Sequence, residues 1–366
     1  MKLLTPSELS RVDAHLGQLV DRCMSAEGLT GLRDAVRAFV LAGGKRIRPQ
    51  LCLWTWQKVS SEQSAVGSEQ SAVGNEQSAV SPALLDLACA WELFHAFLLA
   101  HDDIIDASDS RRDQPALHRR LASLDSDCPI FGRNLAIVAG DLLFTACFQL
   151  LHDIDLPDPA YRKVLKLFSQ TASTTGFGQA VDICAAHTPL DDLSEETLLR
   201  EYLWKTAAYT FEGPMLSGAI VAGASDAALG AVSRFALSLG QAYQLQNDII
   251  DLRSPAHEGC DLVQGKRTVT LMRARSGMST RRKRELDNTL DEIRRLTGAD
   301  TRAITLAEIL RRDLCEDGVV EKTGTIIDDL IDRAKCAADD PVLGTPLREG
   351  LHSILKALNQ KYFVRA

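Results

Sequence analysis

Alternating apolar–polar runs, the signature of half-buried strands, are nearly absent from these 366 residues, which points to an all-α fold. Cysteine pairing signals are missing too. The nine cysteines (Cys23, Cys52, Cys89, Cys128, Cys147, Cys184, Cys260, Cys315, Cys336) form no Cys-x-x-Cys, which speaks against zinc, and their odd number suits reduced thiols. Positive charge is not in excess: the formal charge is −8 and the pI about 5.6, which argues against a nucleic-acid-binding surface. No uninterrupted apolar run approaches the ~20 residues of a membrane span, and Met1–Leu16 lacks the long apolar core of a signal peptide. Glycine and proline do not cluster into an interdomain linker. A single helical domain over residues 1–366, cytoplasmic and without a membrane span, is therefore expected, and 45% hydrophobic residues leave ample material for its core.

Helix signals fill the chain. Thr5-Pro6-Ser7-Glu8 reads as a capping box with proline at the first helical position, opening a helix to about Ala26. A second helix runs from about Leu29 to Leu41 and stops at Gly43-Gly44. Others are expected from Pro82 to Asp106, Ala136 to Leu151, Tyr161 to Ala186 and Ala227 to Leu252, with one or two more over Glu195 to Ala224. Amphipathic helices from Leu286 onward close the chain. One stretch breaks the pattern: Ser61 to Val80 repeats as SEQSAVG, SEQSAVG, NEQSAV. Its units offer only Ala and Val as apolar residues and the first two carry glycine, so 61–80 reads as a flexible surface insertion between two helices rather than a coiled coil.

Two acidic stretches organise the rest. Glu92 to Arg112 reads ELFHAFLLAHDDIIDASDSRR, an apolar helix that turns abruptly acidic. Asp102 and Asp106 are four apart, so on a helix both carboxylates share one face, one turn apart, and their repulsion calls for a cation. Carboxylate oxygens suit Mg2+, whose remaining positions go to phosphate and water. Arg111 and Arg112 supply forks for phosphate oxygens. Gln244 to Asp251, QLQNDIID, repeats the shape, with Asn247 and Asp251 four apart and Asp248 between them. Two such clusters read as two walls of one cavity, each holding metal against a shared polyphosphate.

These motifs resemble the trans-type isoprenyl diphosphate synthases, or polyprenyl synthetases, over about Leu41 to Leu271 and in the helical ends. The order is kept throughout: GGKRIRP at Gly43–Pro49, ExxH at Glu92–His95, DDxxD followed by RR, GD at Gly140-Asp141, and GQxxD at Gly178–Asp182. KT at Lys205-Thr206, YQ at Tyr243-Gln244, NDxxD, and Asp261 with Gly265-Lys266 complete it. The resemblance implies a single helical domain with a central cavity between the helices that carry the two Asp-rich motifs. It implies condensation of an allylic diphosphate with isopentenyl diphosphate, in which the allylic C–O bond ionises and metal ions stabilise the departing pyrophosphate. By analogy three Mg2+ bind, two at Asp102 and Asp106 and the third at Asp248 with its neighbours Asn247 and Asp251. Asp103 is expected to orient its neighbours or Arg111. Arg111 and Lys205 would grip the allylic diphosphate, with Lys266 adding positive charge, while Thr206 and Gln244 flank the allylic carbon. Isopentenyl diphosphate, which carries no metal in this family, would lie on Lys45, Arg48, His95 and Arg112. The released pyrophosphate is the expected base for the last proton, in a pocket kept dry.

The resemblance also implies a homodimer and a product-length floor before Asp102. Periodicity favours Leu98 and, less strongly, Phe94; the resemblance favours Phe97 and a short-chain product, geranylgeranyl diphosphate ahead of farnesyl diphosphate. Three departures stand out. Asn247 replaces the usual Asp, His257 a frequent Lys, and Asp113 a common Gly. A class I terpene cyclase would instead show NDxxSxxxE, whereas NDIIDLRSP has Asp251 and Pro255 at those positions. A non-catalytic partner subunit would typically have lost its acid motifs.

Overall fold

Fifteen α-helices and one π-helix account for nearly all ordered secondary structure among the described residues, and the expected all-α class holds. The structure is a computed structural model and describes residues 2–66, 80–111, 114–125, 128, 130–257, 260–296, 300–316 and 318–361. Arg112, Asp113 and residues 67–79 of the repeat lie outside the described residues. The chain divides into two compact units.

The first unit comprises Met1–Phe168, Gly213–Leu229 and Gly344–Leu347. It opens with α1 (Pro6–Cys23), whose capping box forms as its sequence requires: the Thr5 side chain accepts from the Glu8 backbone and Glu8 returns the bond. Helices α2 (Thr30–Leu41) and α3 (Ile47–Val66) follow. Helix α3 runs through Val66, six residues into the stretch 61–80 expected as a flexible insertion, because SEQSAV contains no helix breaker before Gly67. Glu62 on that extension accepts a hydrogen bond of 3.0 Å from the Leu347 backbone.

Helix α4 (Pro82–Ile105) starts where Ser81 caps the Leu84 backbone and Pro82 presets the first turn. It is apolar on all sides because it is surrounded: it packs along α6 (Phe131–Asp153) and touches α3 and α9 (Gly213–Val221). A short antiparallel pair, β1 (Ser110–Arg111) with β2 (Gln114–Pro115), and α5 (Leu117–Ala122) connect α4 to α6. Both α4 and α6 are long and apolar enough, by length and composition, to cross a bilayer. Of that apolar stretch, 67% is buried inside the fold in α4 but only 44% in α6, which leaves Ile137, Val138 and Leu142 exposed. The first part of α7 (Asp158–His187) completes this unit.

The second unit holds Ser169–Glu212, Gly230–Leu343 and Arg348–Ala366. The remainder of α7 is followed by α8 (Glu195–Tyr202), the π-helix (Leu203–Glu212) and the main length of α10 (Asp226–Arg253). Helices α11 (Val269–Ser276), α12 (Thr280–Arg295), α13 (Thr301–Glu316), α14 (Val319–Ala338) and α15 (Thr345–Lys361) finish the chain. Within this unit α11 packs on α14 and α8, and α12 on α13. The π-helix is a departure from simple helical periodicity, which cannot distinguish i→i+5 from i→i+4 pairing over ten residues.

Candidate active site

The sequence-predicted residues fall into two groups, one in each unit. In the first unit, α4 ends at the acid turn. The Asp106 N–H donates to the Asp102 carbonyl at 2.8 Å, closing the last turn, and Ala107 at φ 51 reverses the chain. Asp102 and Asp106 are half-buried, while Asp103 is fully buried. Arg111 on β1 reaches back to Asp103, with Nε and Nη2 at 2.7 and 2.6 Å from one carboxylate oxygen. Its Nη2 also stands 3.7 Å from Asp102. Burial raises the Asp103 pKa, the Arg111 pair opposes that rise, and the Asp102 charge adds to it. Asp103 thus holds Arg111 beside the acid turn, and Asp102 and Asp106 are the carboxylates left near the surface.

Behind the turn, His101 bonds the Ile137 carbonyl at 3.1 Å. It fits only because Gly140 lacks a side chain: a Cβ there would lie 2.4 Å from the imidazole Nε2. Gly140 of the GD motif therefore makes room for the His101 ring, one residue before the acid turn.

The basic loop belongs to the same unit. Gly43 and Gly44 sit at φ 86 and 128, and Arg46 at φ 45, a conformation that L side chains rarely adopt. Arg46 is buried, and its guanidinium bonds Asp13 of α1 at 2.7 Å and Glu92 of α4 at 3.0 Å. Burial opposes charge on Arg46, but the two carboxylates outweigh it and raise its pKa. Gln50 donates to the Lys45 carbonyl at 2.5 Å and accepts from Leu3 at 2.7 Å. Lys45 is exposed and Arg48 buried, and the Arg46–Glu92 pair ties their loop to α4 one turn before the half-buried His95. The clasp formed by Arg46, Glu92 and Asp13 escaped the sequence reading. Its one signal was Glu92 itself, a carboxylate inside an otherwise apolar helical run that must find a cation when buried.

Beyond the acid turn lies an aromatic cluster. Phe94 is buried against Phe97, Phe144 and Phe168, with ring centroids 5.7, 6.0 and 5.4 Å away. Phe97 is half-buried and faces Phe144 at 4.9 Å, while Leu98 is also half-buried. Phe144, Phe148 and Phe168 were invisible as neighbours because they come from α6 and α7.

The second unit gathers the other residues. Lys205 and Thr206 lie on the π-helix, where Lys205 bonds Asp182 at 2.5 Å and Thr206 donates to Gln244 at 3.1 Å. Gln244 in turn donates to Asp248 at 3.0 Å. Tyr202 donates its hydroxyl to the other Asp248 oxygen and accepts from the Val269 backbone at 3.1 Å. Tyr202, fully buried and missed by sequence reasoning, carries no motif signal. Asp251 accepts from the Asp261 backbone at 3.0 Å, and Lys266 stands 3.9 Å from the Asp261 carboxylate. Asp248, Asp251, Asp261 and Lys266 line one small cavity. Asn247 is half-buried beside it, and His257 is exposed, bonded to the Pro255 carbonyl at 3.1 Å.

This pocket is electrostatically unsatisfied. Burial raises the pKa of Asp248, Asp251 and Asp261, and repulsion among the three raises those of Asp248 and Asp261 further; Asp261 reaches about 6 despite the nearby Lys266. Either protons or a cation must balance them. An all-oxygen donor set fits a hard divalent ion such as Mg2+. Among the described residues no group of three or more His, Cys, Asp or Glu side chains is placed to hold a metal ion by itself.

The sequence profile of the polyprenyl synthetase family matches residues 30–305. The heterodimeric geranylgeranyl pyrophosphate synthase large subunit 1, chloroplastic, of Arabidopsis thaliana is 32% identical over 251 residues, 65% of this chain and 60% of that protein. The geranylfarnesyl diphosphate synthase of Natronomonas pharaonis is 31% identical over 249 residues, 67% of this chain and 69% of that one. A crystal structure of geranylgeranyl pyrophosphate synthase from Corynebacterium glutamicum, complexed with isoprenyl diphosphate and magnesium, superposes with a TM-score of 0.78 at 26% identity, over 98% of this chain and 99% of that one. The chain thus spans less than two thirds of the length of the first of these relatives.

Proposed function

The chain belongs to the polyprenyl synthetase family, and from that premise we propose that it is a Mg2+-dependent trans-prenyltransferase joining an allylic diphosphate to isopentenyl diphosphate. The observation that supports this reading is the carboxylate cluster of Asp248, Asp251 and Asp261, which lines one small cavity with Lys266 and whose pKa values burial raises. Bound Mg2+, three ions by analogy, would neutralise charge developing on the pyrophosphate leaving group. Asp102, Asp106 and Asp248 are the residues we assign to hold it, with Asn247 and Asp251 beside the last.

The chain's own residues do the rest. Arg111, held by Asp103, and Lys205, held by Asp182, present fixed positive charge to the allylic diphosphate, and Lys266 adds a third. Thr206 and Gln244 offer oxygen dipoles to the allylic cation. Lys45, Arg48 and His95 bind isopentenyl diphosphate, the loop of the first two being clamped by Arg46; Arg112 is assigned there on its motif position. Phe97, with Phe94 and Leu98, forms the floor that stops growth, and geranylgeranyl diphosphate is favoured over farnesyl diphosphate. Relatives named for geranylgeranyl and geranylfarnesyl products support a short chain.

We further assign a homodimer, supported by the exposed apolar residues Ile137, Val138 and Leu142 of α6, and a cytoplasmic location. Radiolabelled isopentenyl diphosphate incubated with dimethylallyl, geranyl or farnesyl diphosphate and Mg2+, followed by chromatography of the dephosphorylated products, tests the reaction. Label in a C20 alcohol is expected; no transfer from any primer overturns the reading. Light scattering at micromolar concentration tests the dimer, and cell fractionation the location.

A further inference from the structure

The π-helix is gripped from two sides in the same manner. On α7, Gly178 packs against its backbone so closely that a Cβ there would lie 2.4 Å from the Lys205 nitrogen and 2.7 Å from the Lys205 Cα. On α10, a Cβ at Gly240 would lie 2.5 Å from the Ala207 Cβ and 2.6 Å from its Cα. Real Cβ contacts essentially never fall below 3.0 Å, so neither position accepts a side chain without displacing the π-helix.

Each glycine also has a partner one helical turn on. Asp182 follows Gly178 by four residues on α7, and Gln244 follows Gly240 by four on α10, so glycine and partner share a face. Asp182 bonds Lys205, the residue that Gly178 touches, and Gln244 bonds Thr206, the residue before the Ala207 that Gly240 touches. A π-turn is wider than an α-turn and closes i→i+5, so its backbone needs neighbours that yield space where it bulges.

We propose that Gly178 and Gly240 are positioning residues that hold the π-helical register of Leu203–Glu212, so that Lys205 meets Asp182 and Thr206 meets Gln244. The catalytic consequence rests on the functional reading of Lys205 and Thr206 given above; the geometric claim does not. A side chain at either notch pushes the π-helix outward and moves both residues off their partners.

The test is acylation of Lys205 by acetic anhydride, followed by peptide mass spectrometry, on wild type, Gly178→Ala and Gly240→Ala, with Asp182→Ala as the reference for a released lysine. Wild-type Lys205, only 20% exposed and ion-paired, is expected to react slowly. Both glycine variants should react about tenfold faster, approaching the reference, and should raise the KM for the allylic diphosphate by a similar factor while that for isopentenyl diphosphate stays within about twofold. A folded Gly178→Ala with the wild-type labelling rate overturns the proposal. Should Gly178→Ala lose its cooperative melt, Gly240→Ala decides by the same measurement: faster labelling of Lys205 is expected, and a folded Gly240→Ala with the wild-type labelling rate overturns the proposal. Labelling needs no turnover, so a wild type that transfers no prenyl group defeats the functional reading while the labelling ratios still judge the glycines.

Discussion

DDIID at the end of α4 and NDIID at the end of α10 share a pattern and differ in how their charge is balanced. In each the second position is the buried one, Asp103 or Asp248. Asp103 faces the guanidinium of Arg111 and stands as an ion pair. Asp248 takes its hydrogen bonds from two neutral donors, Tyr202 and Gln244, and has Asp251 and Asp261 as charged neighbours. Spacing therefore says which oxygens share a face, while the surroundings decide whether those oxygens carry charge. The first cluster is an anion already paired to a cation. In the second, burial and mutual repulsion raise the carboxylate pKa values, a cost that a bound cation would relieve.

The largest expected effect breaks the first cluster. Asp102→Ala should lower kcat by about a thousandfold or more, by removing a carboxylate oxygen from the leaving-group site, with unchanged helical content by circular dichroism. Near-normal turnover would take the cluster out of the mechanism.

The next separates the two kinds of anchor. Arg111→Gln leaves Asp103 buried without its cation and should reduce kcat/KM for the allylic substrate by about a hundredfold. Tyr202→Phe removes one neutral donor and should cost only about tenfold, with about 1–2 kcal/mol of stability. Steady-state kinetics and denaturant titration of both variants give the ratio; equal losses would mean the clusters are balanced alike.

A smaller effect appears as pH dependence in the metal-free protein. The folded state holds the Asp261 proton more tightly than the unfolded state, so this stabilisation is full below about pH 4 and is lost as pH rises through about 6. Asp261→Asn should then gain on the order of 1–2 kcal/mol at pH 7.5 in EDTA and nothing at pH 4. Thermal melts across this range check it; a gain that is the same at both pH values would show that repulsion is not its source. Mg2+ with pyrophosphate should stabilise wild type more than the variant.

The finest comparison concerns the apolar residues eight and five positions before each cluster: Phe94 and Phe97 on α4, but Leu239 and Ala242 on α10. Only the aromatic side should set product length. Phe97→Ala should shift some product to the next longer chain, and Phe94→Ala, whose ring is fully buried, should add to the shift at a stability cost of about 3–5 kcal/mol. Chromatography of dephosphorylated products that finds no change in either variant would misplace the floor.

Much of the fold was legible because helix signals are local. Thr5 to Glu8 forms the box its residues spell, Gly43-Gly44 takes the left-handed turn, and α10 begins and ends within a residue of its apolar pattern. The extension of α3 to Val66 and the π-helix were not, the first because a repeat that carries glycine resembles a break and the second because one extra residue per turn leaves little trace in ten residues. Among the candidate site residues, Asp102, Asp106 and Arg111 stand out by spacing alone. Arg46 and Tyr202 were not, since each is defined by its partners.

By itself, then, the sequence determined the helices, the one-face spacing of each acid pair and the family, all of which depend on residues within a few turns of one another or on motif order. Only the tertiary structure decided that Lys205 meets Asp182, that Tyr202 holds Asp248, and that Gly178 admits the backbone of Lys205. Those partners stand 23, 46 and 27 positions apart. Helical periodicity fixes where a side chain points around its own axis, but which neighbour it meets depends on how helices pack, and that is set by the buried surface of the whole unit.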